Sequence, residues 1–216
     1  SCSYCYEQHN KDYGRFTEES LMKAYDWLLQ NSKTENRRFQ FFGGEPLIHK
    51  DLILNFVDNN DEYLVKNYLT NGQSVSIITN GILLDVDFCK RYFEHDFTYM
   101  MISLDTLKVE LDHRELKQEQ IDKIISTVEH LPRHAKERIC FRCTLAQEHA
   151  EFFKEYMLKL YSIGISTIIV HPLVHDSSTG FISWDPVVWD NLHKDIVWLI
   201  RSEEHTSELQ SHLNLV

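Results

Sequence analysis

The feature that most constrains the fold of this chain is a regular alternation between two hydrophobic patterns. Short runs rich in β-branched and aromatic residues occur at residues 38–42, 74–79, 98–104, 138–145 and 166–171. Longer stretches with helical spacing follow Thr17 and cover residues 51–69, 85–93, 118–131, 148–161 and 186–200. Alternating strands and helices predict a parallel sheet, and mostly continuous apolar runs predict that it is buried on both faces. With one further strand before Ser1, these units predict an α/β fold, a partial (βα)6 TIM-like barrel whose first strand is missing.

Composition excludes several classes of protein. The chain has 216 residues and a formal net charge of −11, which argues against a protein that binds the nucleic-acid backbone. No apolar run approaches the roughly 18 residues of a membrane span, so we expect no membrane partner. Five cysteines are too few and too unevenly placed for a secreted disulfide scaffold. No secretory signal peptide is visible, and we therefore expect a cytoplasmic protein.

The two ends of the sequence predict that it is a fragment. The informative motifs begin directly at Ser1, so we expect the natural N-terminus to lie upstream. After Ile200 the helical pattern stops, and residues 201–211 resemble the translation of a common short-read sequencing adapter; a polar helical tail is the alternative. We expect residues 1–200 to be one N-terminally truncated domain and residues 201–216 to be an artefactual tail.

Two groups of residues suit particular chemistry. Cys2 and Cys5 form a C-x-x-C pair, and two thiolates at this spacing can bind one metal centre from a tight loop. The spacing alone also fits a redox couple, half of a zinc site or two buried thiols. In Phe42-Gly43-Gly44-Glu45-Pro46 the glycines allow close backbone approach, and Glu45 presents a carboxylate that can accept from an ammonium group. A strand-to-helix turn with an N-terminal acid explains the second group equally well.

Taken in order, the motifs resemble those of the radical S-adenosylmethionine (SAM) superfamily. The cluster loop of that family has the pattern C-x-x-x-C-x-aromatic-C, and residues 1–5 match its second half with Tyr4 in the aromatic position. The first cysteine of the pattern would lie three residues before Ser1. Gly43-Gly44-Glu45 resembles the G-G-E motif of the family. Thr79-Asn80-Gly81 and Ile102-Ser103-Leu104-Asp105 resemble its third- and fourth-strand motifs. Arg142 lies on the fifth predicted strand, where the family often has a polar residue that contacts SAM, and His171-Pro172 ends the sixth.

The resemblance implies a [4Fe-4S] cluster and SAM as cofactors. Three cysteine thiolates would hold three irons, and SAM would chelate the fourth iron through its amino and carboxylate groups. One electron would cleave the S–C5′ bond to give methionine and a 5′-deoxyadenosyl radical, which abstracts a hydrogen atom from the substrate. The resemblance implies that Cys2 and Cys5 ligate the cluster and that Tyr4 packs beside the adenine of SAM. It implies that Gly43, Gly44 and Glu45 hold the methionyl ammonium. Ser103 would contact the carboxylate or the ribose, Arg142 the carboxylate, and Asn80 would contribute indirectly.

The chain also departs from the family pattern. With two of the three cysteines, we expect the fragment to bind a cluster poorly or not at all and to be inactive. Thr106 stands where many relatives have the glycine of S-x-D-G, which puts close backbone approach at that turn in question.

The extended loop C-x-Y-C-Y-E, formed with Tyr6 and Glu7, and the F-G-G-E-P motif resemble one branch of the superfamily. This branch contains anaerobic sulfatase-maturating enzymes and peptide maturases, whose C-terminal SPASM domain holds auxiliary clusters. The resemblance implies an oxidoreductase-type enzyme that modifies a peptide or protein side chain and takes electrons from a flavodoxin- or ferredoxin-like donor. A radical SAM enzyme acting on a small molecule in cofactor biosynthesis is the second hypothesis, and a zinc- or thiol-bearing interaction domain is the non-enzymatic one.

The remaining cysteines and histidines are predicted to be structural or exposed. Cys140 and Cys143 lie three positions apart on a strand, so they face opposite sides and are interpreted as buried structural thiols. Cys89 is expected in the core. Surface positions are predicted for His113, His130, His134, His149 and His175, which lack ligand spacing. His171 ends a strand and faces the predicted cavity, where contact with a substrate is an alternative.

Overall fold

The computed structural model describes residues 16–33, 37–176, 180–181, 183–204 and 213–215. Its main sheet consists of parallel strands in chain order, as predicted. The strands are β1 (Arg38–Phe41), β2 (Ser74–Thr79), β3 (Thr98–Ser103), β4 (Ile139–Leu145) and β5 (Thr167–Pro172). A small antiparallel pair follows, formed by β6 (His175–Asp176) and β7 (Gly180–Phe181). Near the end of the sequence, β8 (Leu213–Leu215) pairs in parallel with β5.

Helices connect the strands in the alternation that the sequence predicts. They are α1 (Glu18–Asn31), α2 (Lys50–Asn59), α3 (Asp61–Asn71), α4 (Val86–Tyr92), α5 (Gln118–Glu129), α6 (Arg133–Lys136), α7 (Phe153–Ser162) and α8 (Pro186–Glu204). Thr17 caps α1, because its hydroxyl accepts from the backbone N–H of Ser20 at 3.2 Å. Short 3₁₀ turns at Pro46–His49, Val109–Leu111 and Gln147–Phe152 follow β1, β3 and β4.

Two helix predictions need correction. The stretch 51–69 forms two helices rather than one, with the break at Asn60. The Asn60 side chain donates to the carbonyl of Phe56 at 2.8 Å, and such local bonds compete with helix propagation. The stretch 148–161 begins as a 3₁₀ turn and becomes α-helical only at Phe153.

The two faces of the sheet are buried to different degrees: the predicted burial of both faces holds for most of β2, whereas β4 is fully buried on one face only. Along β4 the residues Ile139, Phe141, Cys143 and Leu145 are buried, whereas Cys140, Arg142 and Thr144 are only half-buried. The buried set packs against the helices. The other set belongs to the open face, which we define by Gln40, Ser76, Ile78, Tyr99, Met101, Ser103, Cys140, Arg142, Thr144, Ile169 and His171. The open face is therefore mixed: polar side chains such as Ser103 and Arg142 alternate across it with apolar ones such as Met101 and Ile169.

On the helix-covered face, aromatic contacts hold helices α1 and α2 against strand β1. Phe56 of α2 lies 6.3 Å from Tyr25, 5.7 Å from Phe39 and 5.8 Å from Phe41, measured between ring centroids. Phe56 is fully buried, and rings at these separations contribute packing beyond their buried area. This cluster fixes β1, and with it the turn that follows the strand.

Candidate functional site

The carboxyl ends of the strands meet at one edge of the sheet, where reactive groups lie in parallel βα folds. On the open face, Ser103 of β3 is in register with Arg142 of β4, and Arg142 is in register with Ile169 of β5. Adjacent strands lie about 4.8 Å apart, so Ser103 and Arg142 are neighbours. Among the described residues, neither the Ser103 hydroxyl nor the Arg142 guanidinium makes a hydrogen bond or ion pair. Both groups are therefore free to hold a ligand.

The turn after β1 leaves open space beside this edge. Gly43 has φ +114°, a conformation that L side chains rarely adopt. A Cβ built on Gly43 or on Gly44 would meet no atom within 4 Å. Gly43 is thus needed for its backbone conformation, and both glycines leave their main chain accessible to a ligand.

The carboxylate of Glu45 joins the ends of β1 and β2. Its Oε1 accepts from the Thr79 hydroxyl at 2.7 Å and from the Leu47 backbone N–H at 3.0 Å. Its Oε2 accepts from the Asn80 backbone N–H at 2.8 Å. The carboxylate is therefore already held by the protein, and any contact with a ligand ammonium would use its remaining acceptor capacity.

Asn80 and Gly81 shape the turn after β2. The Asn80 Oδ1 accepts from the backbone N–H of Ile82 at 2.9 Å, and the Thr79 hydroxyl accepts from that of Gly81 at 3.0 Å. Gly81 has φ +80°, and a Cβ there would lie 3.0 Å from Ile124. The turn thus requires glycine at position 81 and leaves the Asn80 amide nitrogen for a contact.

A second carboxylate, which the sequence analysis left without a role, joins the ends of β3 and β4. The side chain of Asp105 is fully buried and pairs with Arg114 through two hydrogen bonds of 2.9 and 3.0 Å. Its Oδ1 also accepts from the backbone N–H of Thr144 at 2.8 Å. Ser103 lies two residues before Asp105, and Arg142 lies two residues before Thr144, so the hydrogen bond between Asp105 and Thr144 holds both strands just beyond this pair. Asp105 was visible in the sequence, but only tertiary structure brings Arg114 to it.

The histidines follow the prediction in part. His149 is buried, not exposed: its Nδ1 accepts from the Ala146 backbone N–H at 3.1 Å and its Nε2 donates to the Leu111 carbonyl at 2.7 Å. These two bonds satisfy the imidazole, so it is a structural residue. His113 is only half-buried, with its Nε2 2.8 Å from Glu148. His171 lies on the open face, and burial, reinforced by the nearby Arg142, lowers its pKa.

The described cysteines are the predicted structural thiols, except that Cys140, predicted to be buried, is only half-buried. Cys89 and Cys143 are buried, and burial raises the pKa of Cys89 to about 12. Cys140 and Cys143 face opposite sides of β4, as predicted. No group of three or more His, Cys, Asp or Glu side chains within the described ranges could hold a metal ion. Cys2, Tyr4 and Cys5, the predicted cluster and adenine residues, lie outside those ranges.

No helix in the described part of the chain is both long enough and apolar enough to cross a membrane.

The chain is similar to known proteins both in sequence and in structure. A GTP 3′,8-cyclase of Clostridium perfringens (strain SM101 / Type A) is 29% identical over 135 residues, which is 59% of this chain and 38% of the cyclase. The solved structure of native anSMEcpe with bound AdoMet, that is SAM, and the Kp18Cys peptide has a TM-score of 0.69 at 17% identity. It covers 99% of this chain and 59% of that one.

A second solved structure shares the fold. Streptococcus suis SuiB bound to S-adenosylmethionine has a TM-score of 0.72 at 15% identity and covers 100% of this chain and 47% of that one. The chain therefore spans between about a third and three-fifths of the length of these relatives. The two structural matches confirm the predicted fold, a partial barrel of the radical SAM type.

The family itself is identified by sequence. The radical SAM superfamily profile matches residues 1–145, which include the G-G-E turn, the ends of β2 and β3, and Arg142. Members of this superfamily use a [4Fe-4S] cluster and SAM. The chemistry of the open turn at Gly43 and Gly44 suits the ammonium of SAM, and that of Arg142, which has no partner within the described ranges, suits the carboxylate. The match over most of the sequence confirms the resemblance, and the chain belongs to the radical SAM superfamily.

Proposed function

We propose that this chain is the core of a radical SAM enzyme that modifies a peptide or protein side chain. The observation that carries the proposal is the arrangement at the strand ends. The Ser103 hydroxyl and the Arg142 guanidinium, neither with a hydrogen-bond partner among the described residues, are neighbours in register, and the open glycine turn lies at the same edge of the sheet; all are within the region that the superfamily profile matches. The cluster and SAM, when bound, would supply a 5′-deoxyadenosyl radical that removes a hydrogen atom from the substrate.

The residues of the chain would bind and orient SAM. Arg142 would pair with its carboxylate, because its guanidinium is half-buried, has no partner in the described part of the chain, and favours a planar anion. Ser103, in the neighbouring register position, would donate to the carboxylate or the ribose. The backbone at Gly43 and Gly44, with Glu45, would accept from the ammonium, and Asn80 would contribute indirectly. Cys2 and Cys5 would ligate the cluster, with Tyr4 beside the adenine, as the family resemblance implies.

A peptide substrate is favoured by the solved relatives. Native anSMEcpe was solved with the Kp18Cys peptide, and SuiB with the precursor peptide SuiA. Both match this chain over almost its whole length. The sequence-similar GTP 3′,8-cyclases favour a second candidate, in which the same radical step acts on a small molecule in cofactor biosynthesis. An electron donor of the flavodoxin or ferredoxin type is proposed for either enzyme.

The test uses the complete gene product, reconstituted anaerobically with iron, sulfide and a reductant. We expect 5′-deoxyadenosine to form from SAM, and formation to rise with cysteine- or serine-containing peptides but not with GTP. Absence of 5′-deoxyadenosine would overturn the enzyme assignment. Stimulation by GTP alone would replace the peptide hypothesis by the small-molecule one.

Arg142→Gln tests the site. Removing one charged partner of a carboxylate should raise the KM for SAM by on the order of 10- to 100-fold, with a smaller change in the rate at saturating SAM. Arg133→Gln is the matched control, because the Arg133 side chain is 90% exposed and pairs only with Glu137 on its own helix turn. An unchanged KM in Arg142→Gln would show that this guanidinium does not bind SAM.

A further inference from the structure

The last register pair between β3 and β4 is the pair that the proposed function places at SAM. Ser103 and Arg142 are the final register partners of these two strands. One backbone bond follows, from the Leu104 N–H to the Arg142 carbonyl at 3.0 Å. Beyond it the Asp105 side chain replaces the backbone ladder, because its Oδ1 accepts from the Thr144 N–H at 2.8 Å. Arg142 therefore lies between two cross-strand bonds, and the second of them depends on Asp105.

The backbone at the end of β3 is also held from the packed side of the sheet. The Leu104 carbonyl accepts from the Tyr156 hydroxyl of α7 at 2.8 Å, and both residues are buried. The Cys143 thiol donates to the Asp105 carbonyl at 3.2 Å. These bonds fix the main chain of Leu104 and Asp105, and they leave the orientation of the Asp105 carboxylate to its own side-chain partner.

Arg114 sets that orientation from the loop between β3 and α5. Its Nε and Nη2 donate to the two carboxylate oxygens of Asp105 at 2.9 and 3.0 Å, and such a bidentate pair fixes the plane of the carboxylate. The side chain of Asp105 is fully buried and that of Arg114 is 11% exposed, so water competes little for either group. The carboxylate held in this plane presents its Oδ1 to Thr144.

The turn that carries Arg114 includes an unfavourable backbone conformation. Glu115 has φ +59°, and it is the only non-glycine residue with a positive φ in the described part of the chain. The Asp112 carboxylate closes the turn, because its Oδ2 accepts from the N–H groups of Arg114 at 3.1 Å and Leu116 at 2.8 Å. A strained conformation persists where surrounding contacts determine it, and such positions cluster at functional sites.

We propose that Asp105 and Arg114 are positioning residues for SAM: they fix the ends of β3 and β4 so that Ser103 and Arg142 reach the same ligand. This inference rests on the proposed function, because it takes Ser103 and Arg142 as SAM contacts. The Asp105 carboxylate is occupied by Arg114 and Thr144, so its effect on SAM is indirect. The effect is geometric, since a displacement of roughly 1 Å is enough to weaken such a contact tenfold or more.

The test measures SAM binding to the reconstituted complete gene product with its cluster oxidised, because SAM is not cleaved when no electron is supplied. Equilibrium dialysis of labelled SAM gives the Kd. We expect Asp105→Ala to raise this Kd about tenfold, and Asp105→Asn, whose amide oxygen can still accept from Thr144, to raise it less. In turnover the KM for SAM should rise in the same order, with a smaller change in the rate at saturating SAM. A wild-type Kd in Asp105→Ala would overturn the proposal.

A double-mutant cycle with Arg142→Gln separates positioning from a general structural effect. When Asp105 acts through Arg142, Asp105→Ala raises the Kd about tenfold in the wild-type background but less than about threefold in the Arg142→Gln background. Equal factors in the two backgrounds would overturn the proposal, because the effect would then not pass through the Arg142 guanidinium.

Two further variants guard against a loss of folding, and circular dichroism confirms that each protein is folded at the assay temperature. Arg114→Lys keeps a positive charge in the loop but loses the bidentate geometry, and it should raise the Kd less than Asp105→Ala does. Leu64→Ala is the matched control for stability, because Leu64 is fully buried on α3 and its truncation destabilises the core. Its Kd should equal that of the wild type. An equal rise in Leu64→Ala and Asp105→Ala would overturn the proposal, since lost stability would explain both.

The same measurements distinguish a failure of this inference from a failure of the proposed function. Weak SAM binding in Arg142→Gln together with wild-type binding in Asp105→Ala would leave the proposed SAM site intact and defeat only the positioning role. Wild-type SAM binding in Arg142→Gln would overturn the proposed SAM site and, with it, the positioning role of Asp105 and Arg114.

Discussion

At the scale of single residues, two carboxylates at the strand ends hold neighbouring strands together. Glu45 accepts from the Asn80 backbone across the ends of β1 and β2, and Asp105 accepts from the Thr144 backbone across the ends of β3 and β4. Each satisfies a backbone donor that lies beyond the last ladder hydrogen bond. Among the described residues, neither acid pairs with Arg142, which is why we propose this guanidinium as the partner of a ligand carboxylate.

Asp105→Asn tests the second of these clamps. The substitution removes the negative charge to which Arg114, whose side chain is 11% exposed, donates two hydrogen bonds. Breaking a buried ion pair on one side destabilises by about 3 kcal/mol, and urea unfolding should show a loss of this size. Glu137→Gln is the control, because it breaks an exposed pair with Arg133 and should change the unfolding free energy by less than about 0.5 kcal/mol. A loss below about 1 kcal/mol in Asp105→Asn would contradict the role of the clamp.

At the scale of elements, the sequence predicted the order and most bounds. The strand 74–79 was predicted with its observed ends, because turn residues bound the run on both sides. The prediction of a single helix over residues 51–69 was wrong. The hydrophobic spacing continues through Asn60, but the Asn60 side chain donates to the Phe56 carbonyl and the helix ends there. The predicted burial of both sheet faces holds along β2 but not along β4, where Cys140, Arg142 and Thr144 are only half-buried. Burial of His149 depends on the Leu111 carbonyl, which no local pattern reveals.

The sequence predicted where the candidate site residues lie in the fold, but not which hydrogen bonds they make within the protein. The motifs place Glu45, Asn80, Ser103 and Arg142 at strand ends, and register brings Ser103 and Arg142 together. That Glu45 is occupied by Thr79 and Asn80 follows only from how the turns after β1 and β2 approach each other. The roles of all these residues toward SAM remain predictions.

Asp85 caps the N-terminus of helix α4, and its substitution should therefore destabilise the protein. Its Oδ1 accepts from the Phe88 backbone N–H at 2.7 Å, and its Oδ2 pairs with Lys50 at 2.6 Å. Partial burial alone would raise the pKa of Asp85, but the bonds from Lys50 and Phe88 outweigh it and lower the pKa. Asp85→Ala should cost about 1 kcal/mol at pH 7, and Asp85→Asn less, because an amide oxygen keeps the cap.

The pH dependence of this effect has a definite sign. A carboxyl group whose pKa is lowered by folding adds stability above its unfolded pKa, about 3.9, and loses it as the pH falls through the folded pKa. The difference between wild type and Asp85→Ala should therefore be constant from pH 7 to about pH 5 and shrink below about pH 4. Thermal unfolding across this range measures it. A difference that grows on acidification would show that Asp85 is not stabilised in its charged form.

At the scale of the whole molecule, the sheet separates a packed side from an open side. Helices cover the side that carries Ile139, Phe141 and Cys143, and the open face presents Cys140 and Arg142 two residues apart on the same strand. A sheet of this kind supplies stability through one face and a ligand surface through the other. The division explains why strands that look continuously apolar nevertheless line a polar site.

The alkylation rates of Cys140 and Cys143, which lie three residues apart on opposite sides of β4, can test this difference between the two faces. Burial raises the pKa of the half-buried Cys140 to about 11 and that of Cys143 well above its ordinary value. At pH 8, alkylation of Cys140 in the folded protein should therefore be on the order of 100-fold slower than in urea, where the thiolate fraction is normal. Cys143 and Cys89, on the packed side, should react only on unfolding. Peptide-resolved mass spectrometry after timed iodoacetamide treatment gives the three rates, and equal rates for Cys140 and Cys143 in the folded protein would mean that both sides of the sheet are equally closed.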